Sequence, residues 1–281
     1  MCIRDSISTA VLLLLIFLPA LFSPGAESLG IIGLVLILAA AWEWGRLNDL
    51  GFTKAFLLSI ICFVLCVSLW ILGIAGKQAE IFWLLIAILW IFISFYFFKN
   101  GIEGWKKIHI IIRNSMGVLL LTSAGLALFQ AKLIGTSFLT SVLLLVWAAD
   151  IGAYFIGRRW GQNKLAPSIS PGKSVEGLIG GIVSVWCLAI VWLSLNKIFA
   201  SMNDNIFSIL LRHGWVSMLI GLTFLTLMSA AGDLFESLIK RSAGKKDSSQ
   251  LLPGHGGVLD RIDALLPVLP LSILLSMAQP I

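Results

Sequence analysis

Repeated apolar runs, each close to the length of a membrane-spanning helix, constrain this chain more than any other feature. A helix needs about 20 apolar residues to cross the hydrocarbon core of a bilayer. Of the 281 residues, 59% are hydrophobic and only 12% are charged, which is typical of polytopic membrane proteins. We therefore predict an all-α, polytopic integral membrane protein with about nine transmembrane helices. The candidate spans are residues 7–23, 29–44, 55–75, 80–98, 115–131, 137–157, 177–196, 214–235 and 264–279.

The distribution of lysine and arginine predicts the orientation of these helices. With the N-terminus in the cytoplasm, 16 of the 20 basic residues fall on the cytoplasmic side, and only Lys77, Lys132, Lys197 and Arg212 fall on the other. Cytoplasmic loops of membrane proteins carry such an excess. We expect a multi-pass protein of the inner (cytoplasmic) membrane with a polar cleft on its cytoplasmic face. The net charge of +6 does not indicate a nucleic-acid partner, because the basic residues lie in short loops.

Two other features of the sequence bear on structure rather than on chemistry. Residues 1–6 (MCIRDS) resemble neither a signal peptide nor a membrane span, and we interpret them as a non-native extension. The four cysteines, Cys2, Cys62, Cys66 and Cys187, have no zinc-site spacing with histidine. Cys62 and Cys66 share a helix face, and a role in helix packing is favoured over a metal or redox pair for these two.

An acidic residue, Asp150, lies well inside the sixth apolar run. Tyr154 follows at i+4 and Arg158 at i+8, so the three side chains lie near one helix face. Ionisable residues inside membrane helices are costly and are functional candidates by default. A structural pair of Asp150 with Tyr154 or Arg158 is the alternative interpretation.

A second polar segment, residues 168–181, contains Gly172-Lys173-Ser174. It is not a P-loop, because Pro167 stands where that motif requires glycine and no strand precedes it. A turn rich in glycine and proline, with Lys173 and Glu176 before a helix, can still present backbone N–H groups and a cation to phosphate. A plain connector is equally compatible with these residues.

The third segment, residues 232–263, holds the densest cluster of charge in the chain. Polar residues with helical spacing form one stripe, which predicts a membrane helix whose inner end lines an aqueous cleft. The stripe consists of Ser229, Asp233, Glu236, Ser237 and Lys240.

Carboxylates beyond this stripe extend the cluster. Asp260 and Asp263 lie one helical turn apart, and together with Asp233 they could offer three carboxylates to a hard cation. Such acids beside lysines and arginines suit a Mg²⁺-bound triphosphate. His255 stands alone and is more often a hydrogen-bond partner than a base.

In these segments the chain resembles the phosphatidate cytidylyltransferase (CDP-diacylglycerol synthase) family. The family signature, S-x2-K-R-x4-K-D followed by P-x-H-G-G-x2-D-R-x-D, is matched without a gap. The matching residues are Ser237, Lys240-Arg241, Lys246-Asp247, Pro253, His255-Gly256-Gly257, Asp260-Arg261 and Asp263. Two further family elements match residues 149–158 and 170–177, with Ser174 in place of the usual threonine and Gln162-Asn163 where a basic pair is common.

The resemblance implies that CTP and phosphatidate give CDP-diacylglycerol and pyrophosphate, with Mg²⁺ and a second cation, divalent or monovalent, at the site. It also implies Asp233 and Asp260 as metal ligands, with Asp263 a weaker candidate. The residues implied in catalysis are Asp233, Asp260, Lys240, Arg241, Lys246, His255 and Arg261. Those implied in substrate binding are Asp150, Tyr154, Arg158, Ser170, Lys173, Ser174, Glu176, Ser237, Asp247, Gly256 and Gly257.

The likeness begins at about residue 148, so we divide the chain into N-terminal transmembrane helices (1–136) and a C-terminal catalytic region (137–281). We expect CTP, phosphatidate and membrane lipid as partners, and a homodimer as a possible assembly. The alternative functions are an isoprenoid-lipid cytidylyltransferase, a polyprenol kinase and a secondary transporter. Transport is disfavoured because the polar segments gather on one side and the N-terminal part does not repeat the C-terminal pattern.

Overall fold

The computed structural model describes residues 3–73, 79–196 and 204–277, so Cys2, Lys77 and Lys197 lie outside the described residues. Nearly all of the described chain is helical, as the sequence predicts. The helices are α1 (Ile3–Phe22), α2 (Glu27–Leu47), α3 (Phe52–Ile71), α4 (Glu80–Lys107), α5 (Ile110–Ile134), α6 (Thr136–Trp160), α7 (Val175–Asn196), α8 (Ile206–Leu211), α9 (Trp215–Ser242), α10 (Leu259–Ile262) and α11 (Leu265–Met277).

Within the described residues, seven helices are long and apolar enough to cross a membrane: α2 to α7 and α9. This confirms the all-α, polytopic membrane fold. The predicted number of nine spans is not confirmed, because α11 has only 13 residues and, within the described part of α1, the apolar segment Leu13–Phe22 is shorter than a span. At 1.5 Å per residue, a 13-residue helix is about 20 Å long, shorter than the hydrocarbon core of about 30 Å.

The N-terminal and C-terminal parts of the chain share one aromatic core. Phe235 of α9 packs against Trp44 of α2 and against Trp90, Phe97 and Trp105 of α4, with ring centroids 5.3 to 6.0 Å apart. All three tryptophans are fully buried. The fold therefore joins residues 1–136 to residues 137–281 through a common core, and the functional division between them stays a prediction.

Close packing between α6 and α7 shapes the wall of the site. A Cβ atom at Gly177 would lie 2.9 Å from the carbonyl oxygen of Ala153, and one at Gly181 would lie 2.8 Å from that of Ala149. Small residues allow membrane helices to approach to this distance. The two helices are connected by a hairpin of β1 (Lys164–Ala166) and β2 (Ser170–Ser174), which are antiparallel. The sequence predicted this segment only as a turn.

Candidate functional site

A cavity of about 730 Å³ opens between α6, the β1–β2 hairpin, α7 and α9. Its wall mixes charged, hydroxyl-bearing and glycine residues, in contrast to the apolar surface of the bundle. Seven of the candidate site residues from the sequence line it: Asp150, Tyr154, Arg158, Ser170, Lys173, Ser174 and Asp233. The polar segments around residues 150 and 170 and the stripe on α9 thus meet in one place.

One face of α6 forms the first wall. Asp150, Tyr154 and Arg158 all contribute to the cavity, and Arg158 Nη1 donates a hydrogen bond of 2.9 Å to Tyr154 Oη. The side chain of Tyr154 is exposed. The spacing of four residues therefore gives both the shared face and a local Tyr154–Arg158 pair.

An ion pair crosses the cavity from the hairpin to α9. Lys173 Nζ lies 2.5 Å from Asp233 Oδ2, and the side chains are 27% and 33% exposed. Ser237, one turn along α9, donates a 3.3 Å hydrogen bond to Asp233 Oδ1. Because both charged groups remain accessible, each can exchange its partner for a bound ligand.

Acidic groups outnumber their basic partners beside this ion pair. Asp263 lies within electrostatic range of Asp233, as does Asp150. Burial, together with the charge of Asp233, raises the pKa of Asp263 above its ordinary value. Asp263 Oδ1 accepts a hydrogen bond from its neighbouring backbone group, Ala264 N, at 2.8 Å. A cation bound between two neighbouring carboxylates would offset the repulsion between their charges.

Asp260, the other predicted metal ligand, has a different environment. Its Oδ1 accepts a 2.5 Å hydrogen bond from Lys240 Nζ. Its Oδ2 accepts hydrogen bonds from Ser248 N, Ser248 Oγ and Gly257 N at 2.8 to 2.9 Å. Burial acts to raise the pKa of Asp260, but the hydrogen bonds from Lys240, Gly257 and Ser248 outweigh it and lower the pKa to about 2.

The predicted set of three carboxylates, Asp233, Asp260 and Asp263, is not assembled as one group. Among the residues that the structure describes, no three His, Cys, Asp or Glu side chains lie close enough together to hold one metal ion. The physical reason is that Asp260 faces Lys240 and the loop before α10, whereas Asp233 faces Lys173. The structure brings together Asp233 and Asp263.

Basic residues at the end of α9 hold the chain around the site. Lys240 contacts Glu236 on its own helix as well as Asp260. Arg241 donates hydrogen bonds to the carbonyl oxygens of Ile169, in the hairpin, and Lys245. Both basic side chains thus connect α9 to segments on either side of it.

Two of the candidate substrate-binding residues make local contacts that shape the hairpin. Glu176 accepts hydrogen bonds from the backbone N–H groups of Gln162 and Asn163 and from the Asn163 side chain, at 2.6 to 3.2 Å. Ser174 is buried, and its Oγ accepts a 3.1 Å hydrogen bond from Gly177 N in the first turn of α7. Glu176 and Ser174 therefore fix the start of the hairpin and the start of α7.

The signature loop, residues 243–258, carries the remaining candidates. Lys246 and Asp247 are exposed. The carbonyl oxygen of His255 accepts two hydrogen bonds from the Arg261 guanidinium, at 2.5 and 3.1 Å. The His255 ring Nδ1 is buried and has no hydrogen-bond partner within the described residues. Arg261 thus stabilises the backbone of the loop, and neither it nor His255 lines the 730 Å³ cavity.

Sequence reasoning missed Glu43, a fully buried residue near the end of α2. Its carboxylate accepts hydrogen bonds from Ser248 Oγ, Ser249 Oγ, Val258 N and Leu259 N. An acid within an apolar run is the same signal that identified Asp150, so the sequence did contain a signal for Glu43.

The adjacent glycines Gly256 and Gly257 are required by the carboxylates of Asp260 and Glu43. Gly256 has a φ of +81°, and a Cβ atom there would lie 2.8 Å from Asp260 Oδ2. A Cβ atom at Gly257 would overlap both Ser248 Oγ and Glu43 Oε1. Only glycine provides the positive φ and the close approach of backbone to carboxylate.

Comparison with known proteins shows the family of this chain. Residues 4–278 match the cytidylyltransferase family. A phosphatidate cytidylyltransferase of Pseudomonas aeruginosa is 37% identical over 280 residues, which cover 95% of this chain and 94% of that protein. One from Staphylococcus haemolyticus is 33% identical over 94% of this chain and 95% of its own length. One from Haemophilus influenzae is 49% identical over 138 residues, 48% of this chain and 44% of that protein.

Proposed function

This chain belongs to the cytidylyltransferase family and is a nucleotidyltransferase of the membrane, and we propose that it transfers the cytidylyl group of CTP to phosphatidate. The products are CDP-diacylglycerol and pyrophosphate. The relatives support this reaction over a polyprenol kinase or a transporter. The observation that carries the proposal is the cavity in which Lys173 and Asp233 form an accessible ion pair beside further carboxylates.

The reaction needs charge compensation more than it needs a base. An oxygen of the lipid phosphate, already an anion, attacks the α-phosphorus of CTP, and the bond from that phosphorus to the pyrophosphate oxygen breaks. The barrier comes from repulsion between the two anions and from the charge that builds on the leaving pyrophosphate. Lys173 and Arg158, both in the cavity wall, are the side chains we assign to these charges.

A divalent cation fits the acidic part of this site. Within the described residues, five carboxylates lie near two lysines, Lys173 and Lys240; the carboxylates are those of Asp150, Asp233, Glu236, Asp260 and Asp263. Mg²⁺ takes oxygen ligands from one or two carboxylates and from substrate phosphates. We propose that Asp233 and Asp263 hold Mg²⁺, which when bound neutralises phosphate charge. Direct coordination by Asp260 would require it to give up Lys240 or the loop, so we assign it to holding the loop.

The site is proposed to face the cytoplasm, where CTP is available. The distribution of basic residues supports this orientation. The end of the helix bundle that holds the cavity carries Arg46, Arg113, Arg158 and Lys240, and the other end carries Lys132 and Arg212. The bacterial relatives support the inner membrane as the location. The predicted homodimer stays a prediction.

Incubation of the purified protein with CTP labelled at the α-phosphate, Mg²⁺ and phosphatidate tests the proposed function. We expect the label to enter the lipid extract and pyrophosphate to be released in equal amount. A parallel reaction with an isoprenoid phosphate tests the related activity. Label that enters lipid only with the isoprenoid phosphate, or pyrophosphate release that does not need any lipid, would contradict the proposal.

A further inference from the structure

Glu43 connects a transmembrane helix of the N-terminal part to the signature loop. Its side chain is fully buried, and each carboxylate oxygen lies within hydrogen-bond distance of two donors, one of which, the Ser248 hydroxyl, is shared with Asp260. Oε1 accepts from Ser249 Oγ at 2.5 Å and from Val258 N at 2.9 Å. Oε2 accepts from Leu259 N at 2.7 Å and from Ser248 Oγ at 3.1 Å. A buried carboxylate is tolerated only when it is satisfied in this way.

The four donors come from two separate parts of the loop. Ser248 and Ser249 lie in its first half, and the N–H groups of Val258 and Leu259 lie where the loop enters α10. One carboxylate therefore fixes the distance between the two halves. Lys246 and Asp247, which the family resemblance implies in catalysis and substrate binding, are exposed and directly precede the pair of serines, so their positions depend on this closure.

Asp260 completes the same closure from the other side. Ser248 Oγ lies 2.8 Å from Asp260 Oδ2 and 3.1 Å from Glu43 Oε2, and Gly257 N donates to Asp260. Asp260 in turn contacts Lys240 of α9. Glu43 and Asp260 thus hold one loop against α2 and α9, and the overlap that a Cβ at Gly257 would make with Glu43 explains the glycine of the family signature.

We propose that Glu43 is a positioning residue for the proposed cytidylyl transfer, acting through the signature loop rather than by touching substrate. This rests on the function proposed above. Within the part of the chain that the structure describes, the hydrogen bonds that its carboxylate accepts all come from residues 248–259, and none comes from another transmembrane helix. Loss of the carboxylate should therefore disturb the loop before it disturbs the helix bundle.

Glu43→Gln is the test variant, and Glu27→Gln is its matched control. Glutamine keeps the shape of glutamate but places an NH₂ group where two donors point, so it cannot satisfy all four. Glu27 lies in the first turn of the same helix, is exposed, and undergoes the same chemical change. We expect Glu43→Gln to lower kcat roughly tenfold or more, with less change in the KM for CTP, while Glu27→Gln stays within about twofold of wild type.

Trypsin cleavage after Lys245 and Lys246 reports the loop itself, independently of activity. These lysines are exposed, and we expect cleavage in membranes to be several times faster in Glu43→Gln than in wild type or Glu27→Gln. Glu43→Asp, which keeps the charge, should recover part of both kcat and protection. Ser249→Ala removes one donor without changing α2 and should give the same changes on a smaller scale, which keeps the test valid if Glu43→Gln does not insert.

Three results would overturn the proposal. One is a Glu43→Gln protein with wild-type turnover and wild-type cleavage. Another is lost turnover with an unchanged cleavage rate, which would remove the loop from the explanation. The third is an equal loss in Glu27→Gln, which would indicate a general effect on α2. A wild-type protein that does not use CTP would contradict the proposed function, yet the cleavage comparison would still decide whether Glu43 holds the loop.

Discussion

Two pairs of carboxylates lie at the same end of the helix bundle but differ in how many protein donors compensate their negative charge. Glu43 and Asp260 together accept hydrogen bonds from four backbone N–H groups, two serine hydroxyls and a lysine. Asp233 and Asp263 have far fewer direct partners among the described residues: Lys173, Ser237 and the N–H of Ala264. Both pairs consist of the same chemical group in neighbouring parts of the fold.

These hydrogen-bond partners distinguish residues that hold a site in place from residues that bind its ligands. A carboxylate whose lone pairs are all occupied by protein donors is stabilised where it is, and binding a ligand there would require those donors to be lost. A carboxylate beside another acid and an accessible lysine is incompletely compensated, so a cation or an exchange of partners stabilises it. On this basis the Glu43–Asp260 pair holds the loop, and the Asp233–Asp263 pair binds.

The largest expected effect separates the two pairs directly. Asp233→Asn should lower turnover roughly a thousandfold, because the variant loses a proposed cation ligand, while the protein keeps its folding and membrane level. Steady-state release of pyrophosphate from CTP measures this. Asp204→Asn, on an exposed ion pair with Arg212 at the other end of the bundle, is the control. Normal turnover of Asp233→Asn would remove this residue from the site.

Asp260→Asn should instead lower stability. Asparagine leaves the half-buried Lys240 without one of its two anionic partners and presents an NH₂ group to the loop donors, at a cost of roughly 3 kcal/mol. We expect a lower temperature of thermal denaturation in detergent together with lost activity. A variant that is inactive yet as stable as wild type would place Asp260 among the ligand-binding acids and abolish the distinction between the pairs.

The pH dependence of stability should follow Asp260. Its pKa in the folded protein is about 2, below the ordinary value of 3.8, so its contribution is fully present above about pH 4. That contribution is lost as the pH falls towards 2, and it amounts to about 2 kcal/mol. The temperature of thermal denaturation should therefore fall over this pH range by more in wild type than in Asp260→Asn. Parallel curves for the two proteins would contradict the assignment.

The smallest expected effect concerns the ion pair of the cavity. Lys173→Ala should raise the apparent KM for CTP or for phosphatidate about tenfold, because the cavity loses a cation that faces the phosphates. Initial rates over a range of each substrate measure this. Lys54→Ala, on an exposed residue of α3, provides the control. An unchanged KM for both substrates would indicate that the hairpin only connects α6 to α7 and does not bind substrate.

The local periodicity of the sequence predicted part of the site well. Helical spacing alone places Asp150, Tyr154 and Arg158 on one face, and the structure has all three in the cavity wall. The same reasoning predicted a polar stripe on α9, from which Asp233 and Ser229 line the cavity. Such predictions succeed because residues within one helix have fixed relative positions, whatever the rest of the chain does.

Relations between distant segments were not predictable in this way. Asp260 is part of the signature that suggested a metal ligand, yet its oxygens face Lys240 and the loop. Glu43 lies more than 200 positions before the serines that it binds.

The membrane class, most of the spans, the family and the candidate polar residues follow from composition, periodicity and motifs, which are local in the chain. Which carboxylates are satisfied by protein donors, and which remain open to a ligand, follows only from the folded arrangement. That distinction depends on hydrogen-bond partners brought from α2, α9 and the signature loop to the same few ångströms, and no local pattern contains those distances.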